Sequence, residues 1–379
     1  MNYSLPLLDY PLWWVACSYD YFMHTGDVEY VEEYYETMIK TLDKFYPSIT
    51  NSTTQLITKG IGMSGHYGDY AFLSRTGPVT YYNALYVLAL DNAAFIAKSL
   101  GRKDDEQRWT SRARNVSDAI NKYRFDSSEG AFFDGDCGIN PCKTHAQDGN
   151  SLAIVSGVTN STRAKSVLSH LSKNARPYGN SFYDNDIVGR EFSQRVYAFI
   201  SYFELEARFM TGDMESAMEE IYRLYGWMAS HDPGVTVWEG IGPNGVPYEG
   251  GFTSMSHGWS TGIVPVSMNY ILGVNPTQPG FESWSVKPMP GELKWARGIV
   301  PTPHSFIGVE WAQGDGFTLS VEAPKGTRGV ISVPVSSSSV VYLNSDRIWG
   351  SVEKDGYVSV EVEGGYHVVD VLAQDKDEV

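Results

Sequence analysis

No stretch of this sequence approaches the roughly 20 consecutive apolar residues that a membrane-spanning helix needs. Its most apolar segments still carry Asp20, Asp91 or Glu204, so the chain reads as soluble, with no membrane partner. Basic residues are also scarce. There are 29 Lys and Arg against 45 Asp and Glu, a formal charge of −16, and no Lys/Arg patch that could track phosphates. Nucleic acid is therefore a poor partner. Cysteine is scarcest, with three residues, too few for a disulfide scaffold. Cys137 and Cys142, in "GDCGINPCK", are spaced to close a local disulfide, whereas Cys17 lies on an apolar helix and is expected as a buried free thiol. Neither a second cysteine pair nor a histidine cluster with ligand spacing follows, so no metal is expected. No glycine loop for phosphate and no cofactor fingerprint is present either. The N-terminus lacks a basic leader and an apolar core, which suits a cytosolic protein or one whose beginning lies elsewhere. Acceptor sequons at Asn2, Asn51, Asn115 and Asn160, where about two would arise by accident, lean slightly toward the secretory route.

Aromatic residues, by contrast, are plentiful, with 25 Tyr and 10 Trp, many beside glycine in loops. Rings with apolar faces and polar edges suit a sugar, although they fill ordinary cores as well. Over residues 1–275 one theme recurs: a helix, a tight Gly/Asp turn, a second helix, then a long irregular loop. It is seen in "LWWVACSYDYFMHTGDVEYVEEYYETMIKTLDKF" and again in "YAFISYFELEARFMTGDMESAMEEIYRLYGWM". In each pair the first helix is almost wholly apolar and the second is charged on one face, as two concentric rings of helices require. An α/α toroid follows, with its long loops at one rim. About nine helical patterns are present, the last being "GWSTGIVPVSMNYIL", against the twelve of an (α/α)6 ring. About three helices thus appear missing from the start. Over residues 276–379 the period changes to two, in short alternating strands such as "FIGVEW", "FTLSVEAP" and "YVSVEV", which predict an antiparallel β-sandwich.

The loop "HDPGVTVWEGIGPNGVPYEGGFTSMSHGWS", from His231 to Ser260, is far longer than helix packing needs, and loops of that length usually build a site. Glu239 follows Trp238, whose indole can stack on a pyranose, and a carboxylate beside an aromatic wall can act as a base toward water. Alone, His257 reads as a structural histidine and Glu249 as a solvated loop glutamate. In "GHYGDYAFL", Asp69 could accept two sugar hydroxyls or cap a turn, and Asp148 is expected to cap the helix opening at Gly149 or Asn150. Carboxylates and rings at one mouth of a helical toroid point to glycoside hydrolysis.

The blocks "YPLWWVACSYDYFMHTGD", "GHYGDYAFL", "HAQDGNSLAIVSGV", "TVWEG", "SHGWSTG" and "SWSVKPMPGELKWARGIVPTPHSFIGVEW" resemble the α-L-rhamnosidases of glycoside hydrolase family 78. The resemblance implies an (α/α)6 toroid followed by a β-sandwich, and inverting hydrolysis of terminal α-L-rhamnose from a glycoside or glycan. It implies that Glu239 is the general base and that His257 contacts the sugar. Asp69 and Tyr70 would then stand for the family's "GDW" block, with Tyr in place of Trp, and Trp14 or its neighbour Trp13 for an aromatic wall of the pocket. It further implies a secreted parent protein and no cofactor, and leaves oligomeric state open. The family's general acid lies in a segment upstream of the "WW…TGD" helix, and neither that segment nor the family's N-terminal β-domains match anything in this chain. If the 379 residues are the complete polypeptide, little activity is expected. Two rival readings stay open: another toroid enzyme, such as a uronyl hydrolase or polysaccharide lyase, and a sugar-binding protein without chemistry.

Overall fold

The computed structural model describes residues 7–58, 75–188, 193–231, 234, 236–336, 338–348 and 350–373. These fall into two compact units. The first runs to Tyr19 and resumes over Glu29–Ile263, and the second comprises Asp20–Val28 and Val264–Val379.

Among the described residues, the helical unit holds four antiparallel hairpins. They are α1 (Tyr10–Thr25) with α2 (Val28–Ile39), α3 (Thr80–Ser99) with α4 (Lys103–Tyr123), α5 (Gln147–Val155) with α6 (Ser161–Leu171), and α7 (Ala198–Met210) with α8 (Met214–His231). Composition decides which helix of a pair lies inside. On α3 almost every side of the first two turns is covered, from Thr80 through Val87, whereas α4 buries only the stripe of Trp109, Ala113, Val116, Ala119 and Ile120. α5 packs against both α3 and α7, so the covered helices form the inner layer, with α4, α6 and α8 outside them. This is the α/α toroid architecture. The Thr-Gly-Asp turns close tightly because Gly26 and Gly212 take the left-handed conformation, at φ +70 and +77.

Two expectations are corrected here. Cys17 is exposed. The buried face of α1 follows Leu12, Val15 and Ala16, and Cys17 falls outside that stripe. Asp148 lies one residue inside α5, where Ala146 is the N-cap, and its main partner is a cation. Arg75 Nη1 reaches its Oδ2 at 2.7 Å and also pairs with Asp134, all three being buried. A carboxylate so deep in the protein persists only when paired. Cys137 and Cys142 are joined in a disulfide across a two-stranded turn, with Cα atoms 4.9 Å apart.

The second unit is a sandwich of ten strands: β1 (Val274–Pro276), β2 (Ser283–Val286), β3 (Trp295–Thr302), β4 (Ser305–Gln313), β5 (Phe317–Glu322), β6 (Arg328–Pro334), β7 (Ser339–Leu343), β8 (Asp346–Ile348), β9 (Tyr357–Glu363) and β10 (Tyr366–Ala373). One sheet runs β8-β7-β10-β5-β4-β3 and the other β9-β6-β2-β1. All pairs are antiparallel except β2 with β6. Alternation along the strands sends Trp284, Ile307, Trp311, Leu319, Ile331 and Val369 into the core between them. The short segment Asp20–Val28 belongs to this unit, with the His24 ring edge-on to Phe281 at 5.5 Å.

Candidate active site

The long loop of the helical unit is held by backbone pairing. Ile241 exchanges two 2.8 Å hydrogen bonds with Val196, Glu239 N–H donates to Ser254 O at 2.9 Å, and His257 N–H donates to Val237 O at 3.0 Å. The run 237–241 is pinned at these three points and bends at Glu239. Trp238 goes inward, 2% exposed, among Leu224, Met228, Val196 and Ile241. This corrects its assignment as a sugar-stacking ring, because a covered indole has no face to offer. Glu239 keeps 20% of its side chain exposed.

Two donors fix the Glu239 carboxylate. Tyr248 Oη donates to Oε1 at 2.9 Å, and Ser254 N–H donates to Oε2 at 2.9 Å. His257 Nδ1 lies 4.0 Å from Oε2. Each carboxylate oxygen still has a lone pair beyond its one bond, so the group can take a further proton donor from the open side. Burial, followed by the hydrogen bond to Glu239, pushes the Tyr248 phenol well above its ordinary pKa, so it remains a donor. Arg195 stacks over the Tyr248 ring at 4.8 Å and pairs with Glu249 at 2.6 Å, so Glu249 is an anchored residue, though 42% of its side chain is exposed. Burial also raises Tyr197, beside Tyr248, to about 12.

Aromatic rings continue from this point. His257 and Trp259 have centroids 4.5 Å apart, Trp259 Nε1–H donates to Glu239 O at 2.9 Å, and Trp259 stacks on Phe199 at 5.5 Å. Phe199 meets Trp13 of α1, which stacks on Phe203 at 5.0 Å. Trp14 instead meets Tyr34 of the outer helix α2, so of the two tryptophans it is Trp13 that the structure joins to the rings around Glu239. Asp69 and Tyr70 lie outside the described residues. Sequence reasoning brought Glu239 and His257 together but passed over Tyr248, Trp259, Arg195 and the Ser254 amide. Trp259 had a signal in "SHGWSTG"; the other three act through bonds across the loop that no local pattern encodes. Among the described residues, Glu239 and His257 supply two donor groups, short of the three or four protein ligands of a zinc centre. The arrangement can orient a small polar molecule, water or a sugar hydroxyl, and accept its proton.

Comparison with known proteins shows the family and the fold. The family profile for the bacterial alpha-L-rhamnosidase six-hairpin glycosidase domain matches residues 6–191, and that for the bacterial alpha-L-rhamnosidase C-terminal domain matches residues 273–346. The loop bearing Glu239 lies between the two matches. No curated protein sequence matches. Among solved structures, the alpha-L-rhamnosidase of Dictyoglumus thermophilum is similar at TM-score 0.67 and 18% identity, over 92% of this chain and 38% of that one. A glycoside hydrolase family 78 rhamnosidase of Bacillus sp. GL1 is similar at TM-score 0.71 and 22% identity, over 86% and 33%. The Streptomyces avermitilis alpha-L-rhamnosidase, solved with L-rhamnose, is similar at TM-score 0.64 and 20% identity, over 92% and 32%. At such identities the likeness shows the fold, and the chain spans about a third of the length of these structures.

Proposed function

Since the chain belongs to the bacterial α-L-rhamnosidase family, we propose that the protein of which it forms part or the whole removes terminal α-L-rhamnose from a glycoside with inversion, and that Glu239 is its general base. The observation that carries this reading is the carboxylate itself. It is 20% exposed, is gripped by Tyr248 Oη and Ser254 N–H, and has His257 within 4.0 Å. In an inverting hydrolysis one carboxylate deprotonates water on one face of the sugar while an acid, roughly 6.5–9.5 Å away, protonates the departing oxygen on the other. Glu239 suits the first part because its two fixed bonds set the direction of the free lone pairs. His257 and Trp259 would meet the sugar beside it. The acid is assigned to none of the described residues, and Asp69 with Tyr70 stays a proposal for sugar contact.

The test is Glu239→Gln in the longest protein that releases rhamnose from an aryl α-L-rhamnoside. A lost general base lowers kcat by about 10²–10⁴-fold, and L-rhamnose binding, followed by calorimetry, should persist. Near-normal turnover would remove Glu239 from the base's role. Binding of rhamnose with no turnover in the unsubstituted protein would instead favour a sugar-binding function.

A further inference from the structure

Outside the candidate active site, among the described residues, His145, His170 and Asp184 each present one ligand atom within 4.8 Å of the others. They come from three separate segments: the approach to α5, the last turn of α6, and the loop that follows. Both imidazole side chains are 2% exposed and the Asp184 side chain is 12% exposed. His145 Nδ1 lies 2.7 Å and His170 Nε2 3.1 Å from the same oxygen, Asp184 Oδ2. The other oxygen is occupied, taking the His145 backbone N–H at 3.0 Å and the Asn185 side-chain amide at 2.9 Å. Asp184 is thus fixed so that Oδ2 faces the two rings. The far nitrogen of each ring also faces a carboxylate: His145 Nε2 is 3.4 Å from Asp126 Oδ2, and His170 Nδ1 is 3.5 Å from Glu129 Oε2.

In a pair of neutral rings, each would spend its one proton on Asp184. His145 Nε2 would then turn a lone pair toward Asp126, and this buried nitrogen has no hydrogen-bond partner. Such an orphan is costly. A cation bound by the near nitrogens resolves it. The proton of His145 moves to Nε2, facing Asp126, the carboxylate–histidine–metal arrangement that orients ligands in zinc proteins; His170 Nδ1 faces the Lys173 ammonium at 3.4 Å as well as Glu129, so its proton reaches Glu129 once the exposed Lys173 side chain swings aside. Zinc bonds of about 2.0–2.2 Å in tetrahedral geometry place neighbouring donors roughly 3.3 Å apart; the two nitrogens lie 2.7 and 3.1 Å from Asp184 Oδ2 and all three ligand atoms within 4.8 Å of one another, so the two rings must draw together to hold an ion. Two imidazoles and one carboxylate suit Zn²⁺, whereas Ca²⁺ takes six to eight oxygens. We propose that His145, His170 and Asp184 bind one zinc ion, water filling the fourth position, and that the ion fastens the three segments together. This site is independent of the rhamnosidase reading and is assigned no part in catalysis.

The test uses the tag-free 379-residue chain, stripped with chelator and titrated calorimetrically with Zn²⁺. One ion per chain with Kd about 1 µM or tighter is expected, with a raised melting temperature and no comparable effect from Ca²⁺. Co²⁺ should give the visible absorption of a tetrahedral centre in the unsubstituted chain, a readout that does not depend on any variant folding. Asp184→Asn and His170→Gln, checked by circular dichroism, should each weaken zinc binding at least a hundredfold. No stoichiometric zinc, no cobalt band, or unchanged affinity in a folded variant would overturn the proposal; a buried imidazolium in place of a metal predicts the first two.

Discussion

At the scale of single residues, Glu239 and Tyr248 form the unit on which the proposed chemistry turns. Tyr248 donates to the carboxylate and carries Arg195 on its ring, so it fixes the base and is itself held. Tyr248→Phe removes the donor with almost no change of shape. A hydrogen bond to a charged group is worth about 1.5–3 kcal/mol, so kcat on an aryl rhamnoside should fall roughly ten- to a hundredfold with KM little changed. An unchanged kcat would mean that Ser254 N–H alone orients the base. Glu239 drew notice as an acid beside a ring in an overlong loop, whereas His257 was singled out only through the resemblance to the rhamnosidases. Trp238 was misread because what covers it, Leu224, Met228 and Val196, comes from other parts of the chain that no local pattern reveals.

At the scale of elements, side-chain clamps hold helices where capping alone would not. Asp43, on the π-helical turn Lys40–Phe45 that continues α2, accepts from Arg108 at 2.7 Å, Trp109 Nε1 at 3.0 Å and Arg112 at 2.8 Å, all on α4. Burial pushes its pKa up, but those three donors together win and hold it below the usual carboxylate range. Because the folded value is the lower one, the clamp contributes fully above the unfolded pKa of about 3.9 and fades as pH falls through the folded value. Asp43→Asn should therefore cost about 1–2 kcal/mol at neutral pH, and urea titrations near pH 3 should show the two proteins converging. A constant difference across that range would contradict the charge-based account. In the sandwich, Gly329 pairs with Trp284, and a Cβ on the glycine would lie 2.2 Å from the indole Cε3. The indole is fully buried and donates to Thr327 Oγ1 at 2.9 Å, leaving it no room to retreat. Overpacking of this kind costs about 1–3 kcal/mol, so Gly329→Ala should lower the melting temperature measurably; an unchanged value would show that Trp284 can move aside. Strands β4 to β7, β9 and β10 were readable from alternation. β3 was not, since as an edge strand carrying Gly298 and Pro301 it is largely exposed and has little buried face to impose a pattern.

At the scale of the whole chain, the inner and outer helices were legible because coverage is written into composition: Thr80–Val87 has no polar stripe, and Lys103–Tyr123 has little else beyond its apolar one. The buried ion pairs were not legible. Arg75 and Asp148 are 73 residues apart, and neither has a local reason to seek the other. The net charge of −16 with no basic cluster agrees with a ligand that needs no cationic patch, as a neutral sugar does not. The second compact unit is assembled from Asp20–Val28 and from Val264 onward. During synthesis the ribosome delivers that early turn long before Phe281, against which His24 rests. Its partner emerges only after the rest of the helical hairpins, so the turn must wait while residues 29–263 are made, and a nascent chain halted before residue 264 keeps a piece with nothing yet made to receive it.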